Sequence, residues 1–218
     1  MKIVFILLCV VCLMANIAIA GDDNTPKTKE GDKAWLFSLG GLSDLSAGNF
    51  NGGVGGKYYV SDGNAVRLSL GFANSNTTIK YTGPVDPTRA DEKISGTAFS
   101  LVPAFLHSFT PNGPINAYLG IQAGFGWGSF TDENPGFVNN NKTKNSSTTF
   151  IVGGVAGVEW FAWSNVSFGA EYQLVYTNVS GTREVTIGGT TTSTDLPSTN
   201  AVTLGSSSSG NLTLSVYW

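Results

Sequence analysis

Four charged residues stand in stretches of sequence that otherwise carry almost no charge. They are Lys57 in GGKYY, Arg67 in AVRLS, Glu159 in GVEWF and Glu171 in GAEYQ. Two cations and two carboxylates could neutralise one another as ion pairs, because charge removed from water is costly unless it is paired. Two carboxylates brought side by side could instead share a proton and act as general acid and base. The choice depends on the elements that position them.

The single histidine, His107, is followed by Ser108 in the stretch FLHSF. A histidine next to a serine could activate a nucleophile. Consecutive residues of a strand point to opposite faces, however, and no acidic residue lies nearby in the sequence. We therefore interpret both as polar residues near a strand end and predict that the protein is not an enzyme. The sequence has one histidine, and both cysteines, Cys9 and Cys12, lie within residues 1–20, which are predicted below to be a cleaved signal peptide. We therefore expect no metal site and no cofactor.

Around these residues the sequence alternates between apolar and polar side chains. The last eight residues, NLTLSVYW, place Leu212, Leu214, Val216 and Trp218 on one face and polar or small residues on the other. A period of two is typical of a β-strand with two unlike faces. Similar runs predict eight strands, over roughly 34–41, 52–60, 65–81, 93–108, 115–130, 148–163, 166–187 and a last strand ending at 218.

The connections between these runs alternate between short and long. Turn residues at 61–64, 110–114 and 164–165 predict tight turns, and the long loops are roughly 42–51, 82–92, 131–147 and 188–207. The sequences that flank the last loop indicate a hairpin that continues beyond the main sheet. Tight turns at one end and long loops at the other predict an all-β, eight-stranded, up-and-down antiparallel barrel.

Two kinds of eight-stranded barrel fit this pattern. A lipocalin turns its apolar face inward and needs a charged exterior, whereas a transmembrane barrel turns its apolar face to lipid and fills its lumen with polar and small residues. Only 12% of the residues are charged, and the polar faces consist mainly of Gly, Ser, Thr, Asn and Gln. The composition therefore favours a transmembrane β-barrel.

Aromatic residues cluster near both ends of the predicted strands, as membrane interfaces favour. The predicted girdle consists of Trp35, Tyr58, Trp160, Trp163 and Trp218 on the turn side and Trp127, Phe130 and Tyr176 on the loop side. Because the last strand closes on the first, Trp218 is expected to lie in the turn-side belt.

The N-terminus predicts export. Residues 1–20 combine Lys2, an apolar run and small residues at Ala18 and Ala20, which indicates a cleaved secretory signal peptide. We expect a polar periplasmic lead-in at 21–32 and the barrel at 33–218. The net charge of −3 gives no indication of nucleic acid as a partner.

By alternation, Lys57, Arg67, Glu159 and Glu171 all face the lumen. The second and third strands lie opposite the sixth and seventh in a closed barrel of eight, so two cations face two anions. The favoured interpretation is a salt-bridge cluster that plugs the lumen. An exchange of ion-pair partners that gates a narrow pore is the alternative, and acid–base catalysis by the two carboxylates is a third interpretation.

These features together resemble the small eight-stranded outer-membrane barrels of the OmpA/OmpX type from Gram-negative bacteria. The resemblance implies turns in the periplasm, long loops outside the cell, and a bacterial outer-membrane location. It also implies that the terminal strand, LTLSVYW, is recognised by the outer-membrane assembly machinery. Outer-membrane lipid, including lipopolysaccharide, would surround a protein that we expect to be a monomer.

Three functions follow from this resemblance as hypotheses. The leading one is a structural or adhesion-like role, in which the long loops bind a host or phage surface protein. The second is a narrow pore for ions or small solutes. The third is a lipid-modifying enzyme, against which the lack of a credible catalytic triad argues.

Overall fold

The computed structural model describes residues 28–39, 50–80, 91–111, 113–135, 140–204 and 211–218. Nine strands make up the regular structure of these residues. They are β1 (Lys33–Leu39), β2 (Phe50–Ser61), β3 (Asn64–Ile79), β4 (Glu92–Ser108), β5 (Ile115–Pro135), β6 (Asn140–Trp163), β7 (Val166–Ile187), β8 (Thr190–Leu204) and β9 (Asn211–Tyr217). No helix of the described part of the chain is long and apolar enough to cross a membrane.

The strands close into a ring. Each of β1 to β7 pairs in antiparallel fashion with the next, and β9 pairs with both β7 and β1. At the closure, Ala34 lies opposite Tyr217 and Trp35 opposite Val216. Eight positions around the ring are thus filled by β1 to β7 and β9, which confirms the predicted up-and-down antiparallel barrel.

The predicted last strand corresponds to β9, and a further strand, β8, lies on the same side of β7. Strand β9 pairs with residues 166–171 of β7, and β8 pairs with residues 174–187. The hairpin expected beyond the main sheet is therefore the β7–β8 hairpin, which turns at Gly188 and Gly189, both with positive φ. Residues 205–210, between β8 and β9, lie outside the described residues.

Two of the predicted loops are largely strand, since β8 lies within the loop predicted at 188–207. Residues 131–147 were expected to be irregular, but β5 continues to Pro135 and β6 begins at Asn140. Above a membrane both faces of a strand meet water, so the apolar–polar alternation that reveals a strand disappears there. The predicted loops at 42–51 and 82–92 fall almost entirely outside the described residues.

The two faces of the wall differ as predicted. On β5, Ile121 is 69% exposed on the outer face, whereas Gln122, its neighbour on the inner face, is 6% exposed. The buried residues fill the half of the lumen that lies nearer the tight turns, and they include Leu36, Tyr59, Leu106, Tyr118, Val155, Phe161 and Tyr217. Buried polar side chains share this interior, among them Asn116, Gln122, Ser167 and Ser215, and an apolar outer wall around such an interior is the arrangement that a bilayer stabilises.

Residues 28–32 lie against the tight turns at the end of the barrel. The Gly31 N–H donates to the Tyr59 carbonyl at 2.9 Å, and the Gly63 N–H donates to the Thr28 carbonyl at 3.1 Å. The side chain of Thr28 is buried, and its hydroxyl donates to the Pro111 carbonyl. This segment therefore covers the turn end of the lumen. The predicted signal peptide and residues 21–27 are outside the described residues.

Candidate functional site

The four lumenal charges come from two neighbouring pairs of strands. Lys57 and Arg67 are direct cross-strand partners on β2 and β3. Glu159 on β6 and Glu171 on β7 lie two positions apart in the register of the facing pair, since Glu159 pairs with Gly169. Each side chain faces inward because it falls on the polar side of an alternating strand. All four line one small space in the lumen.

Lys57 and Glu159 form the more deeply buried ion pair. The Lys57 Nζ lies 2.8 Å from Glu159 Oε2 and 3.1 Å from Oε1, and the two side chains are 5% and 2% exposed. Glu159 also accepts hydrogen bonds from Ser167 Oγ at 2.5 Å and from the Tyr217 hydroxyl at 2.7 Å. Lys57 Nζ lies 5.2 Å from the ring centre of Tyr217. Both charges are therefore compensated inside the barrel.

Arg67 and Glu171 form the second ion pair, nearer the loop end. Arg67 donates from its guanidinium group to Glu171 Oε1, and the two side chains are 9% and 7% exposed. The Tyr118 hydroxyl donates to the same carboxylate oxygen at 2.8 Å. Further along the lumen, Gln122 Nε2 donates to Gln173 Oε1 at 3.1 Å. Each carboxylate of the cluster is thus bound to its own cation.

Almost no free space remains among the four charges. The cavity they line with Leu106, Tyr118 and neighbouring residues has a volume of about 10 Å³. That is at the lower limit for holding a single water molecule. The cluster therefore fills the cross-section of the lumen. We call Lys57, Arg67, Glu159 and Glu171, with Tyr118, Ser167 and Tyr217, the plug.

Sequence reasoning missed the hydrogen-bond donors of the plug. Tyr118, Ser167 and Tyr217 donate to its carboxylates but were not among the residues predicted for the charge cluster. The signal that could have found them is the same alternation that found the charges. A hydroxyl on the lumen face near a buried carboxylate is the natural partner for the remaining lone pairs of that carboxylate.

Seven of the eight predicted girdle residues point outward at the barrel rims. Trp35, Tyr58, Trp160, Trp163 and Trp218 lie on the turn side, and Trp127 and Tyr176 lie on the loop side. Trp35 stacks on Trp218 at 5.5 Å between ring centres, and Trp127 stacks on Phe99 at 6.0 Å. On β6, the stretch from Phe150 to Trp160 spans roughly 25 Å along the barrel axis at ordinary strand rise and tilt.

The girdle prediction is wrong for Phe130. It lies three positions after Trp127 on β5, an odd number, and so falls on the opposite face of the strand. Its ring lies beside the inward-facing side of Gly96, its cross-strand partner on β4. Phe130 therefore lies on the inner face of the sheet above the barrel.

His107 and Ser108 lie at the turn end of β4 on opposite faces. His107 is exposed, and its Nδ1 lies 2.8 Å from Asn64 Oδ1 and its ring 5.3 Å from that of Phe109. Ser108 is buried. The two side chains do not form a nucleophile–base pair. Within the described residues, no group of three or more His, Cys, Asp and Glu side chains could hold a metal ion.

A closed ring of strands with an apolar outer wall, a polar filled lumen and aromatic rims defines an integral membrane β-barrel. The family model of the outer membrane protein beta-barrel domain matches residues 5–207. The chain therefore belongs to this family, and its place is the outer membrane.

A solved structure has a similar fold. It is the crystal structure of a major outer membrane protein from Thermus thermophilus, with a TM-score of 0.56 over 87% of this chain and 100% of that one. The sequences are 13% identical, so the likeness concerns the fold alone. No curated protein matches the sequence.

Proposed function

We propose that this protein is a plugged outer-membrane anchor that displays a binding surface outside the cell. The turns would lie in the periplasm and the long strands would project outward. The proposal rests on two parts of one molecule, a lumen filled by paired charges and a sheet that continues well beyond the aromatic rim. A catalytic role is not part of it.

The sheet above the barrel carries the proposal. Strands β5, β6 and β7 contain 21, 24 and 22 residues, about twice what a barrel strand needs to cross a bilayer. Their outer parts are hydrophilic and are joined across strands by exposed ion pairs, Lys142 with Glu133 and Lys144 with Glu184. Ordered strands of this length hold a rigid surface away from the membrane.

Strand β8 is the edge of this projecting sheet. In the described part of the chain it pairs with β7 alone, so one side of its backbone is open to another strand. Its residues 190–202 are exposed, and Asp195 is the one charged side chain of the strand. An open edge with few charges is suited to strand addition by a partner protein, with backbone hydrogen bonds providing the affinity. A host or phage surface protein is the partner class that we propose.

A truncation of the edge tests this function. Residues 178–200 are replaced by Asn-Gly, which removes most of β8 and closes the hairpin on the existing Thr177–Ala201 pair. We expect bacteria carrying this variant to lose adhesion to host cells, or adsorption of phage, that bacteria carrying the intact barrel show. The matched control replaces residues 133–142 by the same turn on the Asp132–Thr143 pair of β5 and β6, which leaves the β8 edge in place.

The control distinguishes the effect of losing the β8 edge from the effect of shortening the projecting sheet. Loss in the first variant alone supports the β8 edge as the contact. Equal loss in both would mean that the height of the sheet matters and not its edge. Adhesion and adsorption that both variants retain would contradict the surface-binding function and leave a structural role.

A further inference from the structure

The wall of the barrel has a gap in its hydrogen-bond ladder. Strand β4 pairs with β5 at Leu101–Phe125 and again, in the same register, at Ala104–Gln122. Between them, Val102 and Pro103 have no paired residue on β5, although both pair with β3 on their other side. Proline has no N–H to donate, so the ladder lacks a donor at the place where Pro103 stands opposite Ala123. We call this place the Pro103 seam.

The seam lies in the part of the wall that faces lipid. Pro103 and Phe105 are exposed on the outer face of β4, as Ile121 and Ala123 are on that of β5. Backbone groups without ladder bonds are costly in the hydrocarbon region of a bilayer, where water cannot replace the missing partner. Because Pro103 donates no hydrogen bond to β5, parting the two strands costs one bond less at this point than where the ladder is intact.

A cavity lies in the lumen behind the seam. Its volume is about 320 Å³, within the range of small-molecule sites. Its apolar wall includes Leu36, Val102, Ile151 and Val175, and Arg67, Glu171 and Gln122 are among its polar lining residues. The same ion pair of Arg67 and Glu171 lines the filled space of the plug, so it separates the cavity from the turn end of the barrel.

Arg67, which lines this cavity, has a donor without a partner in the described part of the chain. Its side chain is 9% exposed, and its Nε is buried without a hydrogen-bond partner in the described part of the chain. A guanidinium group has five N–H donors, and Glu171 accepts from one nitrogen only. The missing partner is therefore an acceptor, such as a carboxylate oxygen.

A groove on the outer wall shares residues with the cavity. It has a volume of about 1070 Å³, and its apolar lining includes Leu68, Pro103, Phe105, Ile121, Ala123 and Val152. Arg67 and Gln122 line both the groove and the cavity. The wall at the seam thus separates a lumenal cavity, which contains the polar side chains of Arg67, Glu171 and Gln122, from an apolar groove that faces lipid.

We propose that the barrel binds a single-chain amphiphile of the fatty-acid class at the Pro103 seam. Its acceptor head group binds Arg67 in the lumenal cavity, and its hydrocarbon chain passes between β4 and β5 into the outer groove. The head group matches the few polar side chains of the cavity, and the hydrocarbon chain matches the apolar groove. Since the plug closes the lumen below, the amphiphile exchanges between the loop-end cavity and the membrane and does not reach the turn end.

Photolabelling tests the proposal. The folded protein in a lipid nanodisc is illuminated with a dodecanoic acid that carries a diazirine at its chain end, and labelled peptides are identified by mass spectrometry. We expect saturable labelling of the outer groove, at Leu68 or Ile121, that unlabelled dodecanoic acid competes away. Dodecyltrimethylammonium, which has the same chain but no acceptor in its head group, is expected not to compete.

Variants of the seam and of the polar side chains, with a control, separate the parts of the site. Pro103→Ala restores the missing donor and is expected to abolish the saturable labelling, whereas Pro197→Ala in the exposed edge strand β8 leaves it unchanged. Arg67→Lys keeps a cation for Glu171 but lacks Nε, and should weaken competition by dodecanoic acid roughly tenfold, the effect of about one hydrogen bond. If Arg67→Lys does not fold, Gln122→Leu tests the polar side. Labelling that does not saturate, or that is the same in the wild-type protein and Pro103→Ala, overturns the proposal.

Discussion

Lys57 and Glu159 are 102 positions apart in the sequence and bind each other inside the barrel, with 2.8 Å between Nζ and Oε2. The pair joins β2 to β6 across the lumen, so it connects strands that share no hydrogen-bond ladder. Its carboxylate is held by Ser167 and Tyr217 as well. A contact of this kind resists both flattening of the barrel and passage of ions along the lumen. The first effect can be measured as stability and the second as conductance.

The first prediction concerns stability. Glu159→Gln leaves the Lys57 ammonium buried without its counter-charge, and we expect it to lower the free energy of unfolding by about 3–5 kcal/mol. The measurement is urea unfolding in lipid vesicles, followed by gel mobility of the folded and unfolded forms. Replacing both partners, as Lys57→Met with Glu159→Leu, should recover much of the loss because no unpaired charge remains.

An exposed ion pair supplies the control for that experiment. Glu133 and Lys142 lie 2.7 Å apart, but their side chains are 46% and 50% exposed. Glu133→Gln should therefore change the free energy of unfolding by no more than about 1 kcal/mol. If Glu159→Gln were as mild as Glu133→Gln, the lumenal pair would not be the stabilising contact described above.

The second prediction concerns conductance. The refolded wild-type protein in a planar bilayer should give no discrete current steps, because about 10 Å³ of space remains among the four charges. Lys57→Ala with Glu159→Ala removes one whole pair without leaving a lone charge, and should open a path with measurable steps. Steps in the wild-type protein that Arg67→Ala alters would instead favour the gated pore.

The architecture could be predicted from the sequence because a membrane restricts which residue types each face of a strand carries. Between the aromatic rims, lipid selects apolar residues on one face and the lumen selects polar ones on the other, so alternation reveals both the strands and the facing of Lys57, Arg67, Glu159 and Glu171. Outside the membrane the selection ends. Residues 131–135 of β5 and 140–147 of β6 were therefore expected to be loop.

The partners within the plug could not be predicted from the sequence. Alternation gives the face of a residue, but the pairing of Lys57 with Glu159 and of Arg67 with Glu171 depends on the stagger and tilt of the whole barrel. The girdle prediction was wrong for Phe130 for a simpler reason. The residue lies at the expected end of β5, but it is an odd number of positions from Trp127 and therefore faces inward. The gap at Pro103 becomes visible only when the strands on both sides are known.

The third prediction concerns closure of the barrel. Trp35 on the first strand stacks on Trp218 at the end of the last, with 5.5 Å between ring centres. A double-mutant cycle with Trp35→Ala and Trp218→Ala should give a coupling energy of about 0.5–1.5 kcal/mol in vesicle unfolding. The same cycle with Trp35 and Trp160, which have no cross-strand relationship, should be additive within about 0.5 kcal/mol. Equal coupling in both cycles would count against the stacking contact.

The fourth prediction concerns pH in the projecting sheet. The hydrogen bond from Lys142, together with its charge, lowers the pKa of the Glu133 carboxyl below the ordinary value. A lowered pKa in the folded protein means that this pair stabilises the β5–β6 hairpin above the ordinary carboxyl pKa and that the contribution is lost as the pH falls through the lowered value. An NMR titration of the Glu133 side-chain carboxyl measures this pKa.

Two variants test the cause of the shift. Lys142→Met should raise the pKa of Glu133 toward the ordinary value, whereas Lys144→Met, which removes the partner of Glu184, should leave it unchanged. A Glu133 that titrates at the ordinary value in the wild-type protein would mean that the Lys142 contact does not persist in solution.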